Sequence, residues 1–137
     1  MLLKKIPLVF LFCLMLVSSP SFASFLADDL LRECQKVVDM QNDSPDYIKS
    51  PGEAGLCIGY MRGFDDMQFQ MAYARSGFSP DATEIEKFRI YCSPKDVTYG
   101  QEARIIVKYL NDHPEELHYA AGSELILILA KYFPCHS

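Results

Sequence analysis

The chain has 137 residues, enough for one domain with a buried core. Its 18 acidic and 13 basic side chains give a net charge of −5, and no basic cluster is longer than Lys4-Lys5. This balance argues against a nucleic-acid-binding face, which needs positive charge along one surface. An acidic surface suits a basic protein partner, and it serves equally well to keep the protein soluble.

The first 23 residues have the pattern of a secretory signal peptide. Lys4 and Lys5 precede an almost unbroken apolar run from Ile6 to Val17, and the small residues Ser21 and Ala23 follow around the expected cleavage point. The run is shorter than the roughly 20 apolar residues of a membrane span. Cys13 lies mid-run, where no lipid anchor is expected. The mature chain, predicted to be residues 24–137, would carry 11 basic and 18 acidic side chains.

Four cysteines remain after this predicted cleavage: Cys34, Cys57, Cys92 and Cys135. An even number in a short exported chain favours two disulfides over free thiols. No C-x-x-C pair is present, so a zinc site is not favoured. We expect neither a bound metal nor a cofactor.

Helical periodicity dominates the first half of the mature chain. Residues 25–40 are predicted to form an amphipathic helix, followed by a turn-rich loop at 41–52. The apolar stripe of this helix comprises Leu26, Leu30, Cys34, Val37 and Val38.

A second helix is predicted from about Glu53 to Arg75. Glycines recur every four residues within it, and because each costs a helix about 1 kcal/mol relative to alanine, we expect another backbone to pack closely there. A weak helix with irregular turns is the alternative. The three glycines are Gly55, Gly59 and Gly63, and the apolar face is expected to comprise Leu56, Tyr60, Phe64, Met67 and Met71.

An irregular excursion follows, with turn residues at 76–81 and a short helical segment near Thr83 to Phe88. Thr98 and Gln101 then match a T-x-x-Q capping box, which predicts a helix from Tyr99 to about Asp112. A last helix is expected to start at His113-Pro114, since proline suits a first helical turn. Its apolar run, residues 125–130, is typical of a central helix or a homodimer contact.

No alternating strand pattern is present, so the fold class is all-α, a small bundle of four to five helices braced by two disulfides. Antiparallel pairing of the helices would bring Cys34 level with Cys57, and Cys92 level with Cys135. This is the preferred pairing. Four cysteines allow three connectivities, and the other two stay open on sequence alone.

The sequence contains no recognisable catalytic site. A Cys–His nucleophile would need a free thiol, and His113 and His118 are five residues apart, which splays them around a helix. Adjacent Asp65 and Asp66 point about 100° apart on a helix, as on a solvated face. We therefore expect a protein that is not an enzyme.

Four motifs occur in order: C-x-G-Y-x-x-G from Cys57, C-x-P-x-x-V-T-x-x-Q from Cys92, Y-L-x-x-H-P-E from Tyr109, and F-P-C ending at Cys135. In combination they resemble the Rap/Tai immunity proteins of bacterial type VI secretion. The resemblance implies a helical, disulfide-containing protein of the periplasm. It also implies that the protein binds and inhibits a peptidoglycan amidase effector. Such inhibitors often act as dimers, so a homodimer is one expected partner arrangement.

The resemblance further implies a protruding loop that enters the amidase cleft. The expected effector-binding residues are Arg75, Ser76, Gly77, Phe78 and Ser79, with Phe78 as the anchor, unless Phe78 folds back onto the bundle. The loop that contains Asp43, Asp46 and Tyr47 is a second candidate. The alternative function is a periplasmic chaperone or acid-stress protein that binds unfolded clients.

Overall fold

The structure, a computed structural model, describes residues 24–42 and 51–135, without the side chains of residues 51 and 53. These ranges form five α-helices and no strand, apart from an isolated bridge between Leu26 and Ala120. The predicted all-α bundle is confirmed. The predicted signal peptide and the candidate loop around Asp43, Asp46 and Tyr47 lie outside the described residues. The helices are α1 (Ala27–Gln41), α2 (Pro51–Arg75), α3 (Ala82–Glu86), α4 (Tyr99–Asp112) and α5 (Ala121–Tyr132).

Helix α1 lies at the centre of the bundle and contacts α2, α4 and α5. The predicted stripe of α1 is largely confirmed, because Leu30, Cys34 and Val37 are buried. Ile106 of α4 and Leu125 of α5 are fully buried in the same core. Burial of such aliphatic side chains contributes about 1.5–3 kcal/mol each and supplies the main driving force for the fold.

The apolar face predicted for α2 is wrong. Leu56, Met67 and Met71 are 59%, 40% and 44% exposed. The buried positions lie on the opposite side of the helix, where small or polar residues break the apolar pattern. They are Ala54, Cys57, Met61, Gln68 and Ala72.

Helix α4 has the predicted bounds. The Thr98 hydroxyl accepts a hydrogen bond from the Gln101 backbone N–H, and the Gln101 side chain accepts one from the Thr98 backbone N–H at 2.8 Å. This reciprocal cap satisfies two N–H groups that a helix start leaves without partners. The helix ends at Asp112, as the sequence predicts.

The continuous helix predicted from His113 is wrong, because only the 3-10 turn Pro114–Glu116 forms before α5 begins at Ala121. The intervening backbone serves α1 instead. The Ala27 N–H donates to the Tyr119 carbonyl oxygen at 2.9 Å, and the Asp28 N–H donates to the Leu117 carbonyl oxygen at 3.1 Å. Carbonyl groups that cap α1 in this way are not available to continue a helix.

The preferred disulfide pairing is confirmed as Cys34–Cys57 and Cys92–Cys135. The first joins α1 to α2 within the core, where both cysteines are fully buried. The second ties the excursion after α3 to the segment that follows α5. Within residues 24–42 and 51–135, no helix combines the length and apolarity needed to cross a membrane.

Candidate functional site

Helix α2 ends in a tight turn that fixes the predicted effector-binding loop. The Phe78 N–H donates to the Tyr73 carbonyl oxygen at 3.0 Å, and the Gly77 N–H donates to the Ala74 carbonyl oxygen at 3.2 Å. These two bonds form a Schellman motif. Gly77 and Phe78 both adopt left-handed conformations, with φ of 70° and 62°. For phenylalanine this conformation costs roughly 1–2 kcal/mol, so surrounding interactions must hold it.

Hydrogen bonds from small polar side chains hold the loop after this turn. The Ser76 hydroxyl donates to the Tyr73 carbonyl oxygen at 2.7 Å and accepts from the Ser79 N–H at 3.3 Å. Asp81 then caps α3, because its carboxylate accepts from the Thr83 N–H at 2.9 Å. The segment is therefore ordered before any partner binds, which lowers the entropic cost of binding.

Phe78 projects into solvent at the end of an aromatic row. Its side chain is 66% exposed, and its ring meets the Tyr73 ring edge to face at 5.3 Å between centroids. Tyr73 in turn stacks on Phe69, which is 43% exposed. The Tyr73 contact is the apolar contact that commonly accompanies a Schellman motif. Phe78 thus touches its own helix without being buried.

A buried polar network holds the excursion after α3 against α2. The Tyr91 hydroxyl donates to one Asp65 carboxylate oxygen at 2.7 Å, and the Tyr99 hydroxyl donates to the other at 3.2 Å. Gln68 accepts from the Ile90 and Tyr91 N–H groups at 3.2 and 3.3 Å. Burial and the Asp65 carboxylate raise the pKa of Tyr91. The hydroxyl therefore remains a donor at any physiological pH.

The outward face of α2 is open. A Cβ atom built at Gly55, Gly59 or Gly63 would meet no atom within 4 Å. The expectation that another backbone packs on these glycines is not met by any described part of this chain. Phe25, Tyr60 and Leu56 surround a shallow apolar depression of about 400 Å³ beside Gly55 and Gly59.

The described side chains offer few groups for catalysis. All four cysteines of the bundle are in disulfides. The His113 ring stacks on the Tyr109 ring, with its Nδ1 atom 2.8 Å from the Tyr109 carbonyl oxygen. Across residues 24–42 and 51–135, no group of three or more His, Cys, Asp or Glu side chains is placed to hold a metal ion. The loop and the open face of α2 are better suited to contact a protein.

Comparison with known proteins decides the family. The family model of the Rap1a immunity proteins matches residues 26–135, which is most of the chain. The chain belongs to the Rap1a immunity protein family. No curated protein and no solved structure matches it. Membership in the Rap1a family implies an immunity protein that binds a cognate secreted effector, and it favours a binding role over a catalytic one.

Among the predicted site residues, the structure brings Arg75 through Ser79 together in one short loop, with Phe78 and Arg75 exposed. The expectation that Asp65 faces solvent is wrong, because its carboxylate accepts hydrogen bonds from two tyrosine hydroxyls. Gln68 was not predicted as a site residue, and it is buried because it lies between Met61 and Ala72 on the inner face of α2. Tyr91 and Tyr99 follow Asp65 by 26 and 34 positions, and no local sequence pattern links residues that far apart.

Proposed function

We propose that this Rap1a family member is a periplasmic immunity protein that binds and blocks a peptidoglycan amidase effector of a type VI secretion system. It would thereby protect the producing cell and its siblings. The family match over residues 26–135 supports the immunity role. The two disulfides fit an oxidising compartment, which the proposed signal peptide at 1–23 would reach.

The observation that carries the binding mode is the exposed aromatic side chain on a preordered loop. Phe78 is the most exposed large apolar side chain among the described residues, at 66%. An aromatic anchor that enters a pocket commonly supplies most of the binding energy of an interface. Arg75 lies at the base of the same loop, where it can pair with a carboxylate on the effector.

Inhibition would follow from occlusion of the amidase cleft. The proposed contact residues lie at the end of α2 and in the turn before α3, with Phe78 exposed; they are Arg75, Ser76, Gly77, Phe78 and Ser79. A loop held by its own hydrogen bonds loses little freedom on insertion, so more of the contact energy appears as affinity. Substrate and loop could not occupy the cleft together.

The test is Phe78→Asn, because asparagine tolerates the left-handed backbone while it removes the ring. We expect the variant to fold and to bind the amidase at least about a hundredfold more weakly, the size of a hot-spot loss. Affinity is measured by titration calorimetry with purified amidase. Protection is measured by survival when the amidase is exported to the periplasm of the same cells.

Phe88→Ala is the matched control, since Phe88 is also an exposed phenylalanine, at 41%, but lies beyond α3. We expect it to bind the amidase normally. An amidase that binds Phe78→Asn and Phe88→Ala with unchanged affinity would contradict the loop assignment. Failure of the unaltered protein to bind or protect against any periplasmic amidase would contradict the proposed function itself.

For the homodimer, we propose that the outward face of α2 is the contact. Gly59 lies midway between Gly55 and Gly63, so a two-fold axis through it would allow two antiparallel helices to approach closely. Leu56 is 59% exposed beside these glycines and would pack over the glycines of the partner helix. Sedimentation of Leu56→Asp should then show a monomer at concentrations where the unaltered protein is dimeric. Leu127→Asp, altered at a similarly exposed leucine of α5, should remain dimeric.

A further inference from the structure

A cavity of about 640 Å³ lies between the segment around α3 and the C-terminal end of α5. One wall is apolar and comprises Ile90, Ala130 and Pro134, while Lys87 and Arg89 bring positive charge to it. The Cys92–Cys135 disulfide braces the site, because Cys135 lines the cavity and its Sγ atom lies 3.7 Å from the Arg89 carbonyl oxygen. The volume is in the range of sites that bind small ligands.

Arg89 is the unusual member of this lining. Its Nε atom is buried and has no hydrogen-bond partner among the described residues. Arg89 also takes part in no salt bridge within residues 24–42 and 51–135, whereas Arg32 approaches three carboxylates. A buried guanidinium N–H without an acceptor is costly, so native proteins rarely keep one without a reason.

The second cation is partly neutralised. Lys87 forms an ion pair with Glu84 on the same turn, which leaves Arg89 as the cation of the cavity that no carboxylate of the described residues engages. A guanidinium binds a carboxylate side-on through two parallel N–H groups, and Nε–H is one of them. Because the Nε atom is buried in the unbound protein, the Arg89 side chain must turn toward the cavity before Nε–H can donate to an oxygen of an incoming carboxylate.

The remaining lining narrows the class of ligand. Glu86 also lines the cavity, and its negative charge disfavours a doubly charged phosphate more strongly than a singly charged carboxylate, while its oxygens can accept a hydrogen bond from a peptide N–H. The apolar wall offers room for one or two small apolar side chains. We propose that this cavity binds the free carboxylate end of a short peptide, with Arg89 as the carboxylate-binding residue. This site is separate from the effector-binding loop and does not depend on the proposed function.

The experiment follows the Nε–Hε resonance of Arg89 by nitrogen-15 NMR in the full mature protein. The probe is N-acetyl-alanyl-leucine with a free carboxylate, and the same peptide with a C-terminal amide is the control. We expect a saturable downfield shift of the Arg89 resonance with the acid and none with the amide. This comparison needs no variant, so it remains decisive even if a substitution at Arg89 prevents folding.

Variants then test whether Arg89 is the residue that binds the peptide carboxylate. Arg89→Gln should weaken binding of the acid peptide at least tenfold, and Arg89→Lys should weaken it measurably because it loses the forked geometry. Arg104→Gln, altered at an exposed arginine of α4, should bind as the unaltered protein does. Equal responses to acid and amide, or undiminished binding by Arg89→Gln, would overturn the proposal. Tighter binding of inorganic phosphate than of the peptide would also overturn it. The same holds if residues 136 and 137 already shift the Arg89 resonance when no peptide is present.

Discussion

The two faces of α2 have different roles in this protein. The inner face carries Cys57, Met61 and Gln68, which are almost completely buried against the rest of the bundle. The outer face carries three glycines with open space above them and large apolar side chains that contact water. The inner face stabilises the fold, whereas the outer face leads to the Phe78 loop and contributes little to the stability of one chain. The proposed binding surface and the core therefore lie on one helix without sharing residues.

The largest expected effect comes from a cavity on the inner face. Met61→Ala should lower the free energy of unfolding by about 2–5 kcal/mol, because Met61 is fully buried and its removal leaves a void. Met67→Ala is the control on the other side of the helix and should change it by less than about 0.5 kcal/mol. Urea unfolding of both variants makes the comparison. Equal losses would mean that the two faces do not differ in role.

A smaller effect is expected at the adjacent carboxylates. Asp65→Asn should cost about 1–3 kcal/mol, because an amide cannot accept a hydrogen bond from both Tyr91 and Tyr99 at its two terminal atoms. Asp66→Asn, one position along on the exposed side, should be nearly neutral. Thermal unfolding monitored by tyrosine absorbance distinguishes them. If Asp65→Asn left the stability unchanged, the hydrogen bonds to Tyr91 and Tyr99 would not be what holds the excursion against α2.

Acidification should strengthen the fold between neutral pH and the ordinary glutamate range. Burial raises the pKa of Glu102, and burial with the Glu116 carboxyl raises the pKa of Glu124. A carboxyl group whose pKa is higher in the folded than in the unfolded state stabilises the fold when it is protonated. This stabilisation is fully present below pH 4.5, the unperturbed glutamate pKa, and it is lost as the pH rises through the pKa of the folded state. Urea midpoints at about pH 5 and about pH 7 should show greater stability at the lower pH.

Glu102→Gln provides the control for this pH dependence. In the unaltered protein the Ser93 hydroxyl donates to the Glu102 carboxylate at 2.6 Å. The amide oxygen of glutamine can still accept this hydrogen bond, but the amide does not titrate. The variant should gain stability at neutral pH and show a shallower pH dependence. At stronger acidity the sign reverses, because hydrogen bonds lower the pKa of Asp29 and Asp81 below 3.8, and that stabilisation is lost as they protonate.

The smallest expected effect has opposite signs at two helical glycines. In the monomer, Gly59→Ala should raise the free energy of unfolding by about 0.5–1 kcal/mol, since alanine favours the helix and a Cβ there would meet no atom of the same chain within 4 Å. Gly122→Ala should lower it by about 1 kcal/mol, because its Cβ would lie 2.6 Å from the Phe64 ring. Denaturant titration measures both. If Gly59→Ala destabilised the monomer, the claim that the outer face of α2 is open would be contradicted.

Much of the fold could be read from local patterns. Thr98 and Gln101 place the start of α4, and the positions of four cysteines along predicted helices indicate the correct two disulfides. The prediction for α2 was wrong because its apolar residues lie on both sides of the helix, so their spacing does not reveal which side is buried. The candidate loop is only partly determined by its turn residues. Phe78 could have packed onto the bundle or projected from it, and the Schellman turn after Arg75 decides between these outcomes.

By itself, the amino-acid sequence determined the helical class and the helix ends marked by caps, because each depends on residues close in the chain. It favoured one disulfide pairing among three, and the structure settled that choice. Only the tertiary structure decided which face of α2 is buried, where Asp65 and Gln68 bind, and why the chain turns at Pro114. These features depend on contacts between distant residues. A hydrogen-bond donor or an apolar side chain carries no local mark of the distant group that will satisfy or cover it.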